Sequence, residues 1–515
     1  MTITPAIAPA SAAASAPTVR TAEGPVRGQQ LTDLEVYRSI PYAAPPTGDR
    51  RFLPPVPHSP WKQTRDARQP GPACMQTDEY DPTENNLDAR SEDCLSLNVW
   101  TPKSGSGTRP VLVFIHGGAF GWGSTRNTFL DGSALARRGD AVVVTIQYRL
   151  GAFGFTELSN LDKRFSGGGN AGLLDQVEAL RWVKRNIGAF GGDASNVTIS
   201  GESAGAESVR ILLGTPAARG LFHKAIIQSG INNLMDPTPS NAHHMTRKLM
   251  KAVNATTITD LQQVGARTLA EKGEAAGVFS YPHVDGYAYP TAPNSMAPVP
   301  LMIGTNLDEM RYWTAMCAAP GDESVTTPAL IKNVFGDNNT LRDYFGDRAD
   351  DVVASYQRDY PSQEEAVVTF LGDGDFRASS IRLAEQQARQ APTYMYLFGY
   401  RSPVKGRTGK PYGAAHSMEL PFLFGTLDKP EVRAVTGPDA PQDLADHTMD
   451  AWLAFARSGN PTTAQLPWPS YSTLTRSTML LDHTSQVVND PYAEQRKAWE
   501  RVPFTHFPYP LPFAA

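Results

Sequence analysis

Unbroken apolar runs of strand length, separated by segments with helical periodicity, most limit the folds open to this chain. Val111-Leu-Val-Phe-Ile115, Ala141-Val-Val-Val-Thr-Ile146 and Val197-Thr-Ile-Ser200 are such runs. Ala225-Ile-Ile227, Val299-Pro-Leu-Met-Ile303 and Thr393-Tyr-Met-Tyr-Leu-Phe398 extend the series. A strand with one wet face alternates apolar and polar residues, whereas a strand covered on both faces stays apolar throughout. Between the runs, Leu173 to Asn186 carries Leu173, Leu174, Val177, Leu180 and Val183 on one helical stripe. Ala206 to Leu213, Ile381 to Ala388 and His447 to Arg457 read as further helices. Strand and helix in alternation predict an α/β fold, with a mostly parallel central sheet and helices on both faces.

The 515 residues exceed the roughly 100–200 of a typical domain, but no stretch of linker composition divides them. A single domain from residue 20 to 515, enlarged by long loop and helical insertions, is therefore expected. Residues 1–19, rich in Ala, Ser, Pro and Thr, are expected to form a flexible tail. They lack the basic start and unbroken apolar stretch of a secretory signal, although Ala10 to Ala16 resembles the small-residue end of one. The compartment stays open between the cytoplasm and an exported location. A net charge of −5 gives no footprint for nucleic acid, and no apolar run of about 18 residues provides a membrane span. The three cysteines, Cys74, Cys94 and Cys317, include no Cys-x-x-Cys pair, so no metal site is expected.

Gly201-Glu-Ser-Ala-Gly205 is the strongest chemical signal. A strand precedes it and a helix follows, the setting in which a G-x-S-x-G serine stands on a sharp turn with its hydroxyl exposed. In isolation the pattern arises by chance in a Gly-rich chain; the strand–turn–helix context makes Ser203 a candidate nucleophile. A serine hydroxyl needs a base to remove its proton and donors to hold the oxyanion. His116-Gly117-Gly118-Ala119-Phe120 follows a strand well upstream, as the oxyanion loop of such enzymes does. The N–H groups of Gly117, Gly118 and Ala204 are the candidate donors. On this type of site the order is serine, acid, histidine, which leaves His416, His447, His483 and His506 of the ten histidines. His416 lies in the short polar loop Gly413-Ala-Ala-His-Ser-Met-Glu-Leu420, which suits a base; the others lie in a helix or in terminal segments. Asp308-Glu309, just past the strand ending at Ile303, supplies the acid.

These elements, together with Glu92-Asp-Cys-Leu-Ser-Leu-Asn-Val-Trp100, resemble the type-B carboxylesterase family, which includes bacterial para-nitrobenzyl esterases and cholinesterases. Ile40-Pro-Tyr-Ala-Ala-Pro-Pro46, Tyr148-Arg-Leu-Gly151, Gln228-Ser-Gly230, Val284-Asp-Gly286 and Ala456-Arg-Ser-Gly-Asn-Pro461 extend the likeness over residues 20 to 500. The resemblance implies an α/β-hydrolase fold and a Ser203–Glu309–His416 triad, with Glu309 chosen over Asp308. Met310 departs from the family pattern, which has glycine after the acid. The resemblance further implies supporting roles for Glu202 and Ser229 and structural ion-pair positions at Arg50, Arg149 and Asp175. It also implies a Cys74–Cys94 disulfide.

The expected activity is hydrolysis of small-molecule carboxylic esters through an acyl-enzyme, without metal or organic cofactor, by a monomer or weak homo-oligomer. Amide, carbamate and lactone hydrolysis use the same triad, because pocket shape decides which carbonyl is presented. A non-catalytic binding protein of the same fold is the remote alternative, and the intact set of candidate residues argues against it. Phe120, Trp122, Met310, Tyr312 and Trp313 flank the catalytic loops and are candidates for an apolar pocket wall favouring bulky or aromatic esters. Arg311 is a candidate anchor for an acidic substrate.

Overall fold

A computed structural model describes residues 16–502, apart from 78–88, 103–104, 231–236, 291–295, 317–344, 361, 407 and 501. Cys317, His506 and residues 1–15 of the expected tail lie outside the described residues. Eleven strands form the main sheet. In chain order they are β1 (Gln29–Gln30), β2 (Glu35–Pro41), β3 (Ser96–Thr101), β4 (Gly105–Ile115), β5 (Val142–Ile146) and β6 (Phe190–Glu202). β7 (Lys224–Gln228), β8 (Leu301–Asn306), β9 (Thr393–Phe398), β10 (Ser477–Leu481) and β11 (Gln486–Asn489) complete it. Their spatial order is β11-β10-β9-β8-β7-β6-β4-β5-β3-β2-β1. Pairing is parallel from β5 through β4, β6, β7, β8 and β9 to β10. It is antiparallel at both margins.

Adjacent residues of one strand enter different cores. Val111, Val113 and Ile115 pack with Leu173, Val177, Leu180 and Val183 of helix α1 (Ala171–Asn186) and with Val209 and Leu212 of α2 (Ala204–Gly214). Leu112 and Phe114 pack with Trp452, Leu453 and Phe455 of helix α4 (Gln442–Ser458) on the other face. Helix α3 (Ala378–Gln387) covers the first face farther along, through Ile381 and Leu383. Coverage of both faces explains the unbroken apolar runs.

Several boundaries differ from the sequence reading. Thr18–Arg20 forms a strand paired antiparallel with Pro25–Arg27, so ordered pairing reaches two residues into the segment read as a tail. The strand expected at Val299–Ile303 runs from Leu301 to Asn306, since Pro300 has no N–H for the ladder. Arg149 pairs with Asp175 as expected, at 2.7 Å and fully buried. The ion pair expected at Arg50 belongs to Arg51, which grips Glu92 and the carbonyls of Gln262 and Val264. Arg50 closes an exposed turn instead. Cys74 and Cys94 are joined in a disulfide.

Candidate active site

Three adjacent strand ends and the loop after β9 build the site. β6 stops at Glu202, and Ser203 takes φ 56° and ψ −125° before α2 begins at Ala204, a left-handed φ that a non-glycine residue adopts only when its surroundings enforce it. They do: the Ser203 N–H donates to the Gln228 carbonyl and its own carbonyl accepts from Glu207 N–H, each at 2.9 Å. The turn requires glycine at 205, where a Cβ would stand 2.0 Å from the Ile115 carbonyl oxygen. The loop after β4 is equally close. A Cβ on Gly117 would lie 2.9 Å from the Ser203 Cβ and 2.6 Å from Glu202 Oε2. Among the described hydrogen bonds, the N–H groups of Gly117, Gly118 and Ala204 donate to nothing, which leaves them available to an incoming oxyanion.

β7 ends at Gln228, and Ser229 follows with φ 51°. Its hydroxyl donates to Glu309 Oε1 at 2.6 Å, beside the Asn306 N–H at 2.7 Å. Glu309 Oε2 lies 2.6 Å from His416 Nδ1, and the His416 N–H donates to the Glu309 carbonyl. Asp308 faces elsewhere, held by Arg401 and the Ala414 N–H. His416 Nε2 lies 3.2 Å from Glu202 Oε1 without hydrogen-bond geometry and has no hydrogen-bond partner among the described residues. The imidazole is walled by Trp313 (5.1 Å between ring centres), Phe376 (4.9 Å) and Tyr312 (5.8 Å).

The site is rich in buried carboxyl groups. Glu202, Glu309, Asp375 and Glu419 are all buried. Burial alone pulls the His416 pKa down, but Glu202, Glu309 and Glu419 outweigh it and hold the imidazole above its ordinary value. Burial pushes Glu202 up, His416 pulls it back, and Glu419 and Glu309 push further. An ionised Glu202 and a protonated His416 therefore each favour the other. Burial also drives His116 down to about 4, so that histidine is neutral; it stacks on Tyr148 and shapes the glycine loop.

With this geometry in place, comparison with known proteins is decisive. The profile of the carboxylesterase family matches residues 15–499. The chain belongs to the carboxylesterase family. The para-nitrobenzyl esterase of Bacillus subtilis is 36% identical over 93% of this chain and 97% of its own length. The phenmedipham hydrolase of Pseudarthrobacter oxydans is 33% identical over 88% of this chain and 93% of its own. Among solved structures, a carboxylesterase of Geobacillus stearothermophilus superposes with a TM-score of 0.83 at 36% identity, covering 94% of this chain and 100% of its own. This carboxylesterase thus has the α/β-hydrolase fold and hydrolyses carboxylic esters.

The structure brings Glu309, His416, Ser229 and Glu202 together and sets the Gly117 loop against Ser203, while Trp313 and Tyr312 face the histidine. Of the remaining pocket candidates, Trp122 lies against the oxyanion loop, where a Cβ on Gly118 would come 2.9 Å from its Cδ1, but Phe120 and Met310 do not reach the site. Phe120 is sealed in the core against Phe155, and Met310 lies in a separate core with Phe345 and Tyr356. Trp122 closes a turn onto the Gly118 carbonyl. Arg311 is buried and paired with Glu364, a carboxylate it shares with Lys410. Sequence reasoning missed four site groups. Glu419 accepts from Asn306 and Gln228, Ser417 donates to Glu202, and Phe376 and Asp375 come from a helical turn. Glu419 was discoverable from its spacing three residues after His416. The Asp373–Arg377 turn carries no motif. Among the described residues, no cluster of three or more His, Cys, Asp or Glu could hold a metal, and no helix is long and apolar enough to cross a membrane.

Proposed function

We propose that this carboxylesterase works by two-step acyl transfer on Ser203, with His416 as general base and Glu309 as the acid that orients it. The buried 2.6 Å Glu309–His416 contact carries the reading, because it fixes the tautomer that leaves Nε2 free to accept a proton. His416 takes the Ser203 proton as the hydroxyl oxygen attacks the ester carbonyl. The N–H groups of Gly117, Gly118 and Ala204 hold the oxyanion. His416 then protonates the departing alcohol, and water attacks the acyl-enzyme by the same route. The aromatic wall of Tyr312, Trp313 and Phe376 supports a preference for bulky apolar or aromatic esters.

All these groups come from one chain, which supports action as a monomer or weak homo-oligomer. One sheet with strands from Gln29 to Asn489 supports a single catalytic domain over residues 20–515. The Cys74–Cys94 disulfide supports an exported, oxidising location over the cytoplasm.

Ser203→Ala is the test, with turnover of para-nitrophenyl esters of increasing acyl length compared against matched amides and carbamates. The parent is expected to prefer esters, and the variant to lose on the order of 10⁴-fold or more in kcat with its thermal midpoint retained. Turnover in the variant comparable to the parent's would overturn the assignment.

A further inference from the structure

The loop that carries His416 holds a residue whose type the acyl-transfer scheme leaves unexplained. Ser417, next in the chain, has φ 68°, a left-handed conformation that suits glycine and strains a residue with a side chain. Its hydroxyl donates to Glu202 Oε1 at 2.6 Å, which ties the loop after β9 to the end of β6. That same oxygen stands 3.2 Å from His416 Nε2. The separation suits a hydrogen bond, yet the geometry forms none, and Nε2 has no partner among the described residues. Glu202 is buried, and the glycine loop closes over its second oxygen, where a Cβ on Gly117 would lie 2.6 Å from Oε2. Among the described hydrogen bonds, Ser417 supplies the donor to this carboxyl.

We propose that Ser417 is a positioning residue: its hydroxyl pins Glu202 Oε1 so that the carboxyl stands beside the reactive imidazole nitrogen without bonding to it. This rests on the roles given above to Ser203 and His416. General-base work needs the Nε2 lone pair open to the Ser203 proton. A carboxyl free to rotate at this distance would close it in either charge state. Protonated, it would donate its O–H to Nε2. Ionised, it would accept from the imidazolium N–H and hold that proton back from the departing alcohol. With Ser417 donating to Oε1, a proton on Glu202 belongs on the other oxygen, and one Oε1 lone pair is committed to the serine. A carboxylate held there still favours the imidazolium through space, since the Coulomb attraction depends on distance and not on bond angle. A purely structural role would not call for serine. Glycine at 417 would relax the backbone, and the loop is already fastened by the His416 N–H on the Glu309 carbonyl.

The experiment measures kcat and KM with para-nitrophenyl acetate for the parent, Ser417→Gly, Ser417→Ala and Glu202→Ala, and for Ser417→Gly combined with Glu202→Ala. Ser417→Gly should retain or raise the thermal midpoint, because glycine suits the left-handed backbone. Both Ser417 variants should lose about tenfold in kcat with KM unchanged, the scale of a hydrogen bond to a charged group. In the Glu202→Ala background, the further loss from Ser417→Gly should be under about twofold, since no carboxyl remains to be held. A kcat that stays at the parent's value would overturn the proposal. So would an equal loss in both backgrounds, which would mean that the hydroxyl acts without Glu202. Unfolding of both Ser417 variants would overturn it too, by making the residue structural. Each failure leaves acyl transfer on Ser203 standing, since that reading fails only if Ser203→Ala keeps its activity.

Discussion

Ser203 holds a backbone conformation that costs about 1–3 kcal/mol for a residue with a side chain, and the adjoining glycines and the Gln228 carbonyl over-determine it. The same over-determination governs its partners. Glu309 accepts from Ser229, Asn306 and His416, so its two oxygens have no freedom to rotate. Glu309→Gln should therefore keep the fold but lose on the order of 10⁴-fold in kcat, since the amide cannot hold the imidazole in the required tautomer or offset its charge. Steady-state rates with one ester check this, and a loss under tenfold would count against it. Glu202→Gln tests the electrostatics of the other ring nitrogen. Glu202 is one of the carboxyls that raise the His416 pKa. A raised pKa keeps the imidazole protonated to higher pH, so removing Glu202 should extend activity toward acid. An acid limb that stays in place would show that Glu309 and Glu419 dominate. The choice between Asp308 and Glu309 was open from residue type alone; the family likeness decided it, and the geometry explains it, because Arg401 holds Asp308.

At the scale of elements, the central strands were readable because both faces of each are dry, and a hydrophobic run is then a direct record of position in the sheet. The full length of β6 was not. Its first residues, Phe190-Gly-Gly-Asp-Ala-Ser-Asn196, pair with β4 through register shifts and carry no continuous apolar run. The Asp373–Arg377 turn was equally hidden: it is fully buried, carries two acids, and continues into α3 without a break in the helix. The strand-to-helix turn at Ser203 owes its shape to close approach between elements, which a single methyl group tests. Gly205→Ala would place a Cβ 2.0 Å from the Ile115 carbonyl oxygen, the last residue of β4. Backbone has to move, at a penalty of at least about 1–3 kcal/mol. The thermal midpoint should fall and activity should fall with it, because the displaced strand carries the Gly117 loop. An unchanged midpoint would mean that the turn has slack the packing does not suggest.

For the molecule as a whole, the chemistry was legible because nucleophile, base and oxyanion loop each fall in a short motif, while the electrostatics arise from residues distant in sequence. Glu202 and Glu309 lie 107 positions apart, yet both raise the His416 pKa. The disulfide belongs to this scale too. Cys74 and Cys94 close a segment with a sequence separation of 20, for which restriction of the unfolded chain stabilises the fold by about 3 kcal/mol. Its reach is longer than the loop. Gln76, two residues past Cys74, clamps Gly123 by donating to its carbonyl and accepting from its N–H, both at 3.0 Å. Gly123 in turn packs on His116 and the Gly117 carbonyl at the foot of the oxyanion loop. Glu92, two residues before Cys94, is held by Arg51. The bond thus links the Arg51–Glu92 ion pair to the Gln76 clamp on the loop that supplies two of the three candidate oxyanion donors. Cys74→Ser with Cys94→Ser should lower the thermal midpoint and speed thermal inactivation, with kcat at room temperature nearly unchanged because the Gln76 clamp survives while the fold holds. On heating, activity should be lost before the helical signal, since the loop loosens ahead of the sheet. Coincident loss of activity and structure would place the weakest point of the fold elsewhere.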